Sequence, residues 1–287
     1  YAYQGDLIVS GNSSFKAFIA DDNVNQIAVN VNYNTTVKDS AHVEITGSCK
    51  GAFLAGSLDV QGGSITVKSK GSGYRYGTST RVDDKQYPTL EVPDYITISG
   101  GKLDVSSELG YDIKIKNSIT ITGGTLVTSL GAENTAPIQK SSEDCTFTAD
   151  NCTVYAGTET DGSNAKKKDT VEAFYSSDYR YVRLIAGSTV DVDADCKDDG
   201  TTTEISADIS AGPDAASKEA AVVIVRFNKN GRLAGIEYRT ATLTGDTWRI
   251  EVSFKNALPD DTYKIYVIDG ARRTPLRNAL LVLKNGT

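Results

Sequence analysis

Histidine, cysteine and tryptophan are scarce in this chain of 287 residues, and methionine is absent. The single histidine, His42, excludes a zinc site built from several histidines and argues against a Ser-His-Asp hydrolase. The four cysteines form no C-x-x-C pair, which argues against a zinc knuckle or a thioredoxin-like site. Cys145 and Cys152 are near enough in sequence to bridge a local turn, but buried free thiols are the interpretation we favour.

Long apolar runs are also missing. None approaches the roughly 18 residues of a membrane span, so we expect no membrane insertion of this segment. The 30 basic residues are outnumbered by 37 acidic ones, a net charge of −7, so we expect no nucleic-acid partner, which would require a basic stripe. The chain starts at Tyr1 with neither a methionine nor an apolar leader, and we therefore expect a processed segment whose signal has been removed.

Glycine is abundant, with 26 residues, and it accompanies short alternating runs of β-branched residues that predict an all-β fold with many turns. Three segments repeat an alternating strand, a glycine pair and a second alternating strand. The pairs are Gly62-Gly63, Gly100-Gly101 and Gly123-Gly124, which lie 38 and then 23 residues apart. The shorter interval fits one coil of a β-solenoid, and the longer one fits a coil with an insertion at 71–89. Because glycine readily adopts a positive φ, each pair predicts a corner between two short strands.

Weaker versions of the pattern flank these three coils. Residues 27–31 and 43–47 predict earlier coils, and residues 147–155 predict a later coil whose corner is Asp150-Asn151. A solenoid needs its ends covered, and residues 175–185 are the predicted cap. We therefore predict that residues 1–187 form a parallel β-helix domain.

The strands become longer and evenly spaced after residue 187. Seven are predicted, at 189–194, 204–209, 221–227, 233–240, 247–254, 262–268 and 280–283. Asn230-Gly231 predicts a type I′ hairpin turn between two of them. Seven strands without helical periodicity predict an immunoglobulin-like β-sandwich domain over residues 188–287.

Residues 51–69 and 110–129 resemble the coil unit of a bacterial family of extracellular carbohydrate-binding, right-handed parallel β-helices. The likeness is closest at Ile119-Thr-Ile-Thr-Gly-Gly-Thr-Leu126, and residues 130–138 resemble the stretch that follows the last coil in that family. It covers about residues 43–157. The resemblance implies a right-handed β-helix in a cell-surface or secreted bacterial protein that binds plant-type polysaccharides, acidic ones included, with bound calcium. The C-terminal strands resemble immunoglobulin-like modules of bacterial surface proteins.

The same resemblance implies where calcium would bind. The family offers a Gly-Asp-Gly stretch and a second aspartate in each coil, whereas this chain has Gly110-Tyr111-Asp112 and then Lys116. Calcium takes about six to eight oxygen ligands. Here Asp112, with Asp104 and Glu108 nearby, is the candidate ligand set, and it is poorer in carboxylates than the family pattern.

Candidate sugar-binding residues are concentrated in the insertion: Tyr74, Arg75, Tyr76 and Arg81, to which Tyr111 adds an aromatic ring in the third coil. Tyrosine rings stack on the C–H faces of sugars, and guanidinium groups pair with uronate carboxylates. The alternative is that these tyrosines only pack the insertion onto the solenoid. If they bind sugar, Tyr74→Ala or Tyr76→Ala weakens glycan binding with little change in melting temperature.

Three classes of function are compatible with the sequence. The first is a non-catalytic polysaccharide-binding module, the second a structural or adhesive surface module with the solenoid as a spacer, and the third a lyase or hydrolase of the pectin-degrading β-helix type. Asp83-Asp84 is the only adjacent acid pair in the insertion, and the motifs of the β-helix lyases and hydrolases are missing. We therefore predict a non-enzymatic module whose partner is a polysaccharide.

Overall fold

The computed structural model describes residues 2–19, 27–47, 51–74, 81–149, 151–168, 170–187, 189–244, 247–258, 260–273, 275–276 and 280–282. The chain divides into an N-terminal unit, Tyr1–Ala186, and a C-terminal unit, Gly187–Thr287. In the described part of the chain the structure is all-β apart from one short 3₁₀ helix, Val171–Tyr175. No helix there is long and apolar enough to span a membrane.

The described residues of the N-terminal unit form twenty strands. They are β1 (Ala2–Tyr3), β2 (Leu7–Val9), β3 (Ser14–Phe18), β4 (Val29–Val37), β5 (His42–Thr46), β6 (Phe53–Val60), β7 (Ser64–Ser69), β8 (Ser72–Tyr74), β9 (Arg81–Gln86), β10 (Leu90–Val92), β11 (Tyr95–Ile98), β12 (Lys102–Ser107), β13 (Ile113–Ile115), β14 (Ser118–Ile121), β15 (Gly124–Leu130), β16 (Ile138–Lys140), β17 (Thr146–Ala149), β18 (Cys152–Gly157), β19 (Lys166–Lys168) and β20 (Tyr181–Ala186).

These strands build a β-solenoid of about five turns over residues 7–149, consistent with the predicted parallel β-helix. One sheet runs β16-β13-β10-β6-β11-β14-β17, with β4 beside β6, and the other runs β19-β18-β20-β15-β12-β7-β5-β3. The coils stack in parallel and in register, so that Ile65, Leu103 and Leu126 lie side by side and fully buried. Because a strand's side chains alternate between faces, each coil contributes its apolar face to this shared core.

The glycine pairs form the predicted corners. Gly63 and Gly101 immediately precede β7 and β12, and Gly124 is the first residue of β15; their φ values are +64°, +69° and +80°. A Cβ on Gly101 would lie 2.5 Å from the backbone carbon of Gly62 in the preceding coil, because the stacked corners approach too closely for a side chain. Asp39, with φ +61°, takes a left-handed conformation at an earlier corner.

The solenoid ends in a segment that folds back on it. Strand β20 lies between β15 and β18 and is antiparallel to both, with Ala186 opposite Gly124 on one side and Cys152 on the other. The antiparallel strand β20 thus ends the parallel stacking of that sheet. The 3₁₀ helix precedes β20 and buries Phe174 completely in the core of the solenoid. No disulfide joins the described cysteines Cys145, Cys152 and Cys196.

In the C-terminal unit, the part of the chain that the structure describes forms seven strands at the predicted positions: β21 (Val190–Asp198), β22 (Thr202–Ala211), β23 (Glu219–Phe227), β24 (Leu233–Thr242), β25 (Trp248–Lys255), β26 (Thr262–Asp269) and β27 (Leu280–Val282). They form two small antiparallel sheets, ordered β21-β22-β25 and β24-β23-β26-β27. Residues from both sheets share one core, in which Phe254 packs against Tyr263 with ring centroids 5.3 Å apart.

The hairpin between β23 and β24 is present, but its turn differs from the predicted type I′. Gly231 has φ +72°, whereas Asn230 is not among the described residues with positive φ. The side chain of Asn228 explains the difference, because its Oδ1 accepts hydrogen bonds from the backbone N–H groups of Asn230 and Arg232, both at 3.0 Å. This loop is longer than a two-residue turn, and the register shifts at Arg226 and Phe227 beside it.

Candidate functional site

The predicted sugar-binding residues do not all fall in the described part of the chain. Arg75 and Tyr76 lie outside the described residues. Tyr74 ends β8 and stands opposite Arg81, the first residue of β9, in a two-stranded hairpin. Tyr111 lies elsewhere, on the last coils, where it is half-buried and lines an open groove.

This groove lies where the 3₁₀ helix packs beside β16, and we call it the terminal groove. Its volume is about 330 Å³, near the lower end of the usual range for ligand pockets of about 300–1,000 Å³. Aromatic, charged and amide side chains line it together with two aliphatic ones: Tyr111, Ala136, Ile138, Gln139, Lys140, Glu172 and Tyr175.

Strand β16 supplies one wall, because it lies at one end of its sheet and has no described strand on its outer side. Ile138 pairs with Ile113 of the preceding coil and is buried. Gln139 and Lys140 follow at the end of the strand, where Gln139 is half-buried and Lys140 exposed. The sheet therefore fixes the backbone under the lysine and leaves its ammonium group accessible.

The 3₁₀ helix supplies the other wall. Its start is fixed by Thr170, whose hydroxyl accepts a hydrogen bond from the backbone N–H of Glu172 at 3.0 Å. Its end is fixed by Phe174, which stacks on Phe147 of β17 with ring centroids 5.4 Å apart. Tyr175 meets Phe147 edge-on at 6.1 Å. The buried ring of Phe174 thus holds the helix in place, and the helix positions Glu172 and Tyr175 at the groove.

A cation–π contact connects the two walls. The Lys140 Nζ atom lies 4.0 Å from the centroid of the Tyr175 ring, where the ring's negative face attracts the ammonium group. Burial of the Tyr175 hydroxyl raises the pKa of this phenol, and the acidic groups of Cys145 and Glu172 raise it further. The phenol therefore stays neutral, and Tyr175 contributes an uncharged aromatic ring to the groove.

No protein-family profile matches the chain. No curated protein matches its sequence either. Among solved structures, a putative ApaA protein from Bordetella pertussis is similar at 12% identity and a TM-score of 0.24, over 34% of this chain and 94% of that one. Bacteroides uniformis beta-glucuronidase 2 is similar at 11% identity and a TM-score of 0.25, over 37% of this chain and 15% of that one. At such TM-scores these likenesses carry no argument about fold or function.

The three predicted calcium ligands do not fit a calcium site. Asp104 pairs with Lys102 at 3.5 Å, Glu108 is exposed, and Asp112 is completely buried. Burial raises the pKa of the Asp112 carboxyl well above its usual value, and the negative charge of Asp104 raises it further, against the opposing effect of nearby backbone N–H groups. Within the described residues no three potential ligands lie together. A neutral, enclosed carboxyl group is a poor ligand for a cation that binds several carboxylates.

Asp112 occupies a structural position that a threonine fills one coil earlier. Register places Thr89 beside Asp112, because Leu90 pairs with Ile113. The Thr89 hydroxyl is satisfied there: it lies 2.7 Å from the Ser69 hydroxyl and donates to the carbonyl of Ser106 at 3.2 Å. The carboxyl oxygens of Asp112 accept no hydrogen bond of good geometry within the described residues, and the backbone N–H groups of Ser107 and Ser129 near them offset the cost of burial only in part. Asp112 therefore weakens the coil that contains it.

We expect Asp112→Thr to stabilise the N-terminal unit by about 1–3 kcal/mol at pH 7, the cost of an unsatisfied buried polar group. Above about pH 3.8, the ordinary pKa of an aspartate, the unfolded chain releases this proton while the folded chain retains it, so wild-type stability falls as the pH rises. The advantage of the variant should therefore grow from pH 4 toward neutral pH, measured by urea unfolding at several pH values. A pH-independent difference between the two proteins would contradict the buried neutral carboxyl.

Proposed function

We propose that this chain is a non-catalytic polysaccharide-binding module of a bacterial cell-surface or secreted protein, and that the terminal groove binds the sugar. The observation that carries the proposal is the combination of two tyrosine rings, one ammonium group and hydrogen-bonding side chains around a single open groove. The resemblance to extracellular carbohydrate-binding β-helices supports it independently, and it extends the proposal to a right-handed helix and an extracellular location.

The chemistry of the groove favours an acidic glycan. The half-buried ring of Tyr111 can stack on the C–H face of a sugar. The Lys140 ammonium can pair with a uronate carboxylate, and Gln139 can donate to sugar oxygens. Glu172 is exposed and can accept hydrogen bonds from sugar hydroxyls. Because β16 lies at the edge of its sheet, a polymer can extend past the groove on the surface.

A catalytic function has less support. Hydrolysis by the usual route needs two carboxyl groups that flank the glycosidic bond, about 5–10 Å apart. Glu172 is the one carboxylate among the residues that line the groove. With Asp112 neutral and buried, we infer binding without cleavage, and because the predicted calcium ligands do not fit, we expect a chelator to leave binding unchanged.

The second candidate is a structural or adhesive role, and the C-terminal unit favours it. We infer an immunoglobulin-like topology for this unit, since its first, second and fifth strands form one sheet and its fourth, third, sixth and seventh form the other. Such a unit would act as a spacer or as an interaction domain next to the solenoid. Binding to a protein ligand without any binding to glycans would favour this second function.

The test compares variants of the groove in binding to polygalacturonate and to a neutral polysaccharide. Tyr111→Ala should weaken binding to both about tenfold, the loss of one stacked ring, whereas Lys140→Ala should weaken mainly binding to the acidic polymer. Tyr33→Ala is the matched control, because Tyr33 is 61% exposed on β4, which lies across β6, β10 and β13 from the groove.

Melting temperatures should stay close to wild type in all three variants, since each changes a side chain that is at least partly exposed. Wild-type affinity in both groove variants would exclude the terminal groove. A loss in Tyr74→Ala or Tyr76→Ala instead would place the site on the insertion.

A further inference from the structure

Strand β24 forms an open edge of the C-terminal unit. Within the described residues it pairs with β23 and with no strand on its other side. It is ten residues long and contains neither lysine nor proline, the residues that commonly protect an exposed edge from pairing. A strand of this kind is a template for another strand.

The backbone hydrogen bonds show which groups of β24 face the open edge. Just beyond the ends of the two strands, the Leu243 N–H donates to the Lys218 carbonyl at 2.8 Å and the Ser217 N–H donates to the Leu243 carbonyl at 2.7 Å, so the backbone groups of Leu243 point to the β23 side of β24. In an antiparallel ladder the direction alternates along the strand, so the even-numbered residues face the open edge. The Tyr238 carbonyl agrees, because it accepts a hydrogen bond from the Arg239 side chain at 2.8 Å.

The same residues carry the outward-facing side chains of the strand. Ile236 is 52% exposed and Tyr238 is 66% exposed, and Thr240 is exposed as well. The opposite face of β24 points into the unit, since a Cβ on Gly235 would lie 3.2 Å from the Phe254 ring. The open edge therefore combines backbone groups that no described strand pairs with apolar and β-branched side chains, and only the Tyr238 carbonyl among them is known to be bound, by the flexible Arg239 side chain of the same strand.

This edge continues an apolar outer sheet surface. Across β23, Tyr238 is in register with Val223 and then with Tyr266, while Ile236 is in register with Val225. Val225 is buried, and Val223 and Tyr266 are half-buried. A strand added at β24 would extend this surface and cover the exposed flank of Tyr238.

The charges on β24 are complementary to those of a second β24. If two copies pair in antiparallel fashion about Tyr238, then Tyr238 faces its own copy and Ile236 faces Thr240, each through backbone groups that face the edge. Glu237 then stands opposite Arg239 of the second copy, and the symmetry repeats this pair. Within one chain these two side chains already attract each other at 3.4 Å.

Other registers lose this complementarity. Centring the pair on Glu237 or on Arg239 places like charges opposite each other, which destabilises a ladder. Centring it on Ile236 or Thr240 places both charges opposite uncharged residues. The geometry therefore selects the Tyr238 register.

We propose that two copies of this chain associate through β24, paired in antiparallel fashion about Tyr238, so that their four-stranded sheets join into one. The occupant of the edge is a second copy because the pattern of charge and of open backbone groups is self-complementary. This proposal is independent of glycan binding by the N-terminal unit.

The test is sedimentation equilibrium of the full chain from about 1 μM to about 1 mM, with charge variants of β24. Wild type should dimerise within this range. Glu237→Arg and Arg239→Glu should each raise the dimer Kd about tenfold or more, because both cross-strand pairs become repulsive. The double reversal should restore the wild-type Kd, and an equimolar mixture of the two single variants should form a mixed dimer.

A fourth variant tests the backbone directly. Tyr238→Pro removes an N–H that faces the open edge, so it should abolish the dimer and leave the β23 ladder and the Trp248 fluorescence intact. A wild-type chain that stays monomeric over the whole concentration range overturns the proposal. The open edge would then be a candidate site for a strand of another protein. A dimer indifferent to both single reversals and to Tyr238→Pro also overturns it.

Discussion

Gly101→Ala is expected to destabilise the N-terminal unit by about 3 kcal/mol or more. Two costs add: an alanine at φ +69° is strained by about 1–2 kcal/mol, and overpacking costs about 1–3 kcal/mol. The overpacking is severe because the new Cβ would lie 2.5 Å from the Gly62 backbone carbon and 2.6 Å from the Gly63 carbonyl oxygen. Backbone of the adjacent coil cannot move aside as a flexible side chain could. Urea unfolding followed by far-UV circular dichroism measures the loss.

Gly11→Ala is the matched control for this substitution. Gly11 has the same φ of +69°, but a Cβ there would meet nothing within 4 Å. Its substitution should cost the strain alone, about 1–2 kcal/mol. The single tryptophan, Trp248, lies in the C-terminal unit and reports whether that unit is unaffected. Equal losses in the two variants would contradict the close stacking of the corners.

Phe174→Ala is expected to destabilise the N-terminal unit by about 3–5 kcal/mol, the usual cost of removing a buried aromatic side chain. Phe174 is completely buried and stacks on Phe147. Because this ring anchors the 3₁₀ helix, its loss should also displace Glu172 and Tyr175 and so abolish glycan binding. Thermal unfolding and a binding titration below the melting temperature measure the two effects.

Phe18→Ala provides the comparison, since Phe18 is 72% exposed on β3. It should change the stability by no more than about 0.5 kcal/mol and leave glycan binding intact. Wild-type glycan affinity in folded Phe174→Ala would show that the helix does not form the groove wall.

The corners and coils of the solenoid could be predicted because their signals are local. A glycine pair between alternating strands specifies one corner, and its repetition specifies the stack, as at Gly101 and Gly124. The seven C-terminal strands follow from alternation in the same way. The type I′ turn predicted at Asn230-Gly231 was wrong, because the Asn228 side chain stabilises a longer loop.

The end of the solenoid could not be predicted from local pattern. The sequence predicts residues 175–185 as a cap but does not say that residues 181–186 form a strand that inserts antiparallel between β15 and β18. The 3₁₀ helix has five residues, too few for a helical period to be visible. Lys140 and Tyr175 therefore meet through a fold-back that the sequence does not show, and Tyr111 was the one groove residue identified from sequence.

Asp112 shows where alternation fails. Ile113 and Ile115 face the core, so a regular strand would place Asp112 outside. It is buried because the chain turns a corner just before β13, and two consecutive side chains point inward there. The resemblance to calcium-binding coils assigned it a ligand role for which this corner leaves no access.

Hydrogen–deuterium exchange of the full chain, with and without an oligogalacturonate, tests most directly where this protein binds sugar. If the terminal groove is the site, the ligand slows exchange in peptides that cover residues 136–140 and 171–175, and leaves residues 72–86 and the C-terminal unit unchanged. Slower exchange confined to residues 72–86 would contradict a glycan site in the groove. The same conclusion would follow if neither acidic nor neutral oligosaccharides changed the exchange at the highest concentrations used.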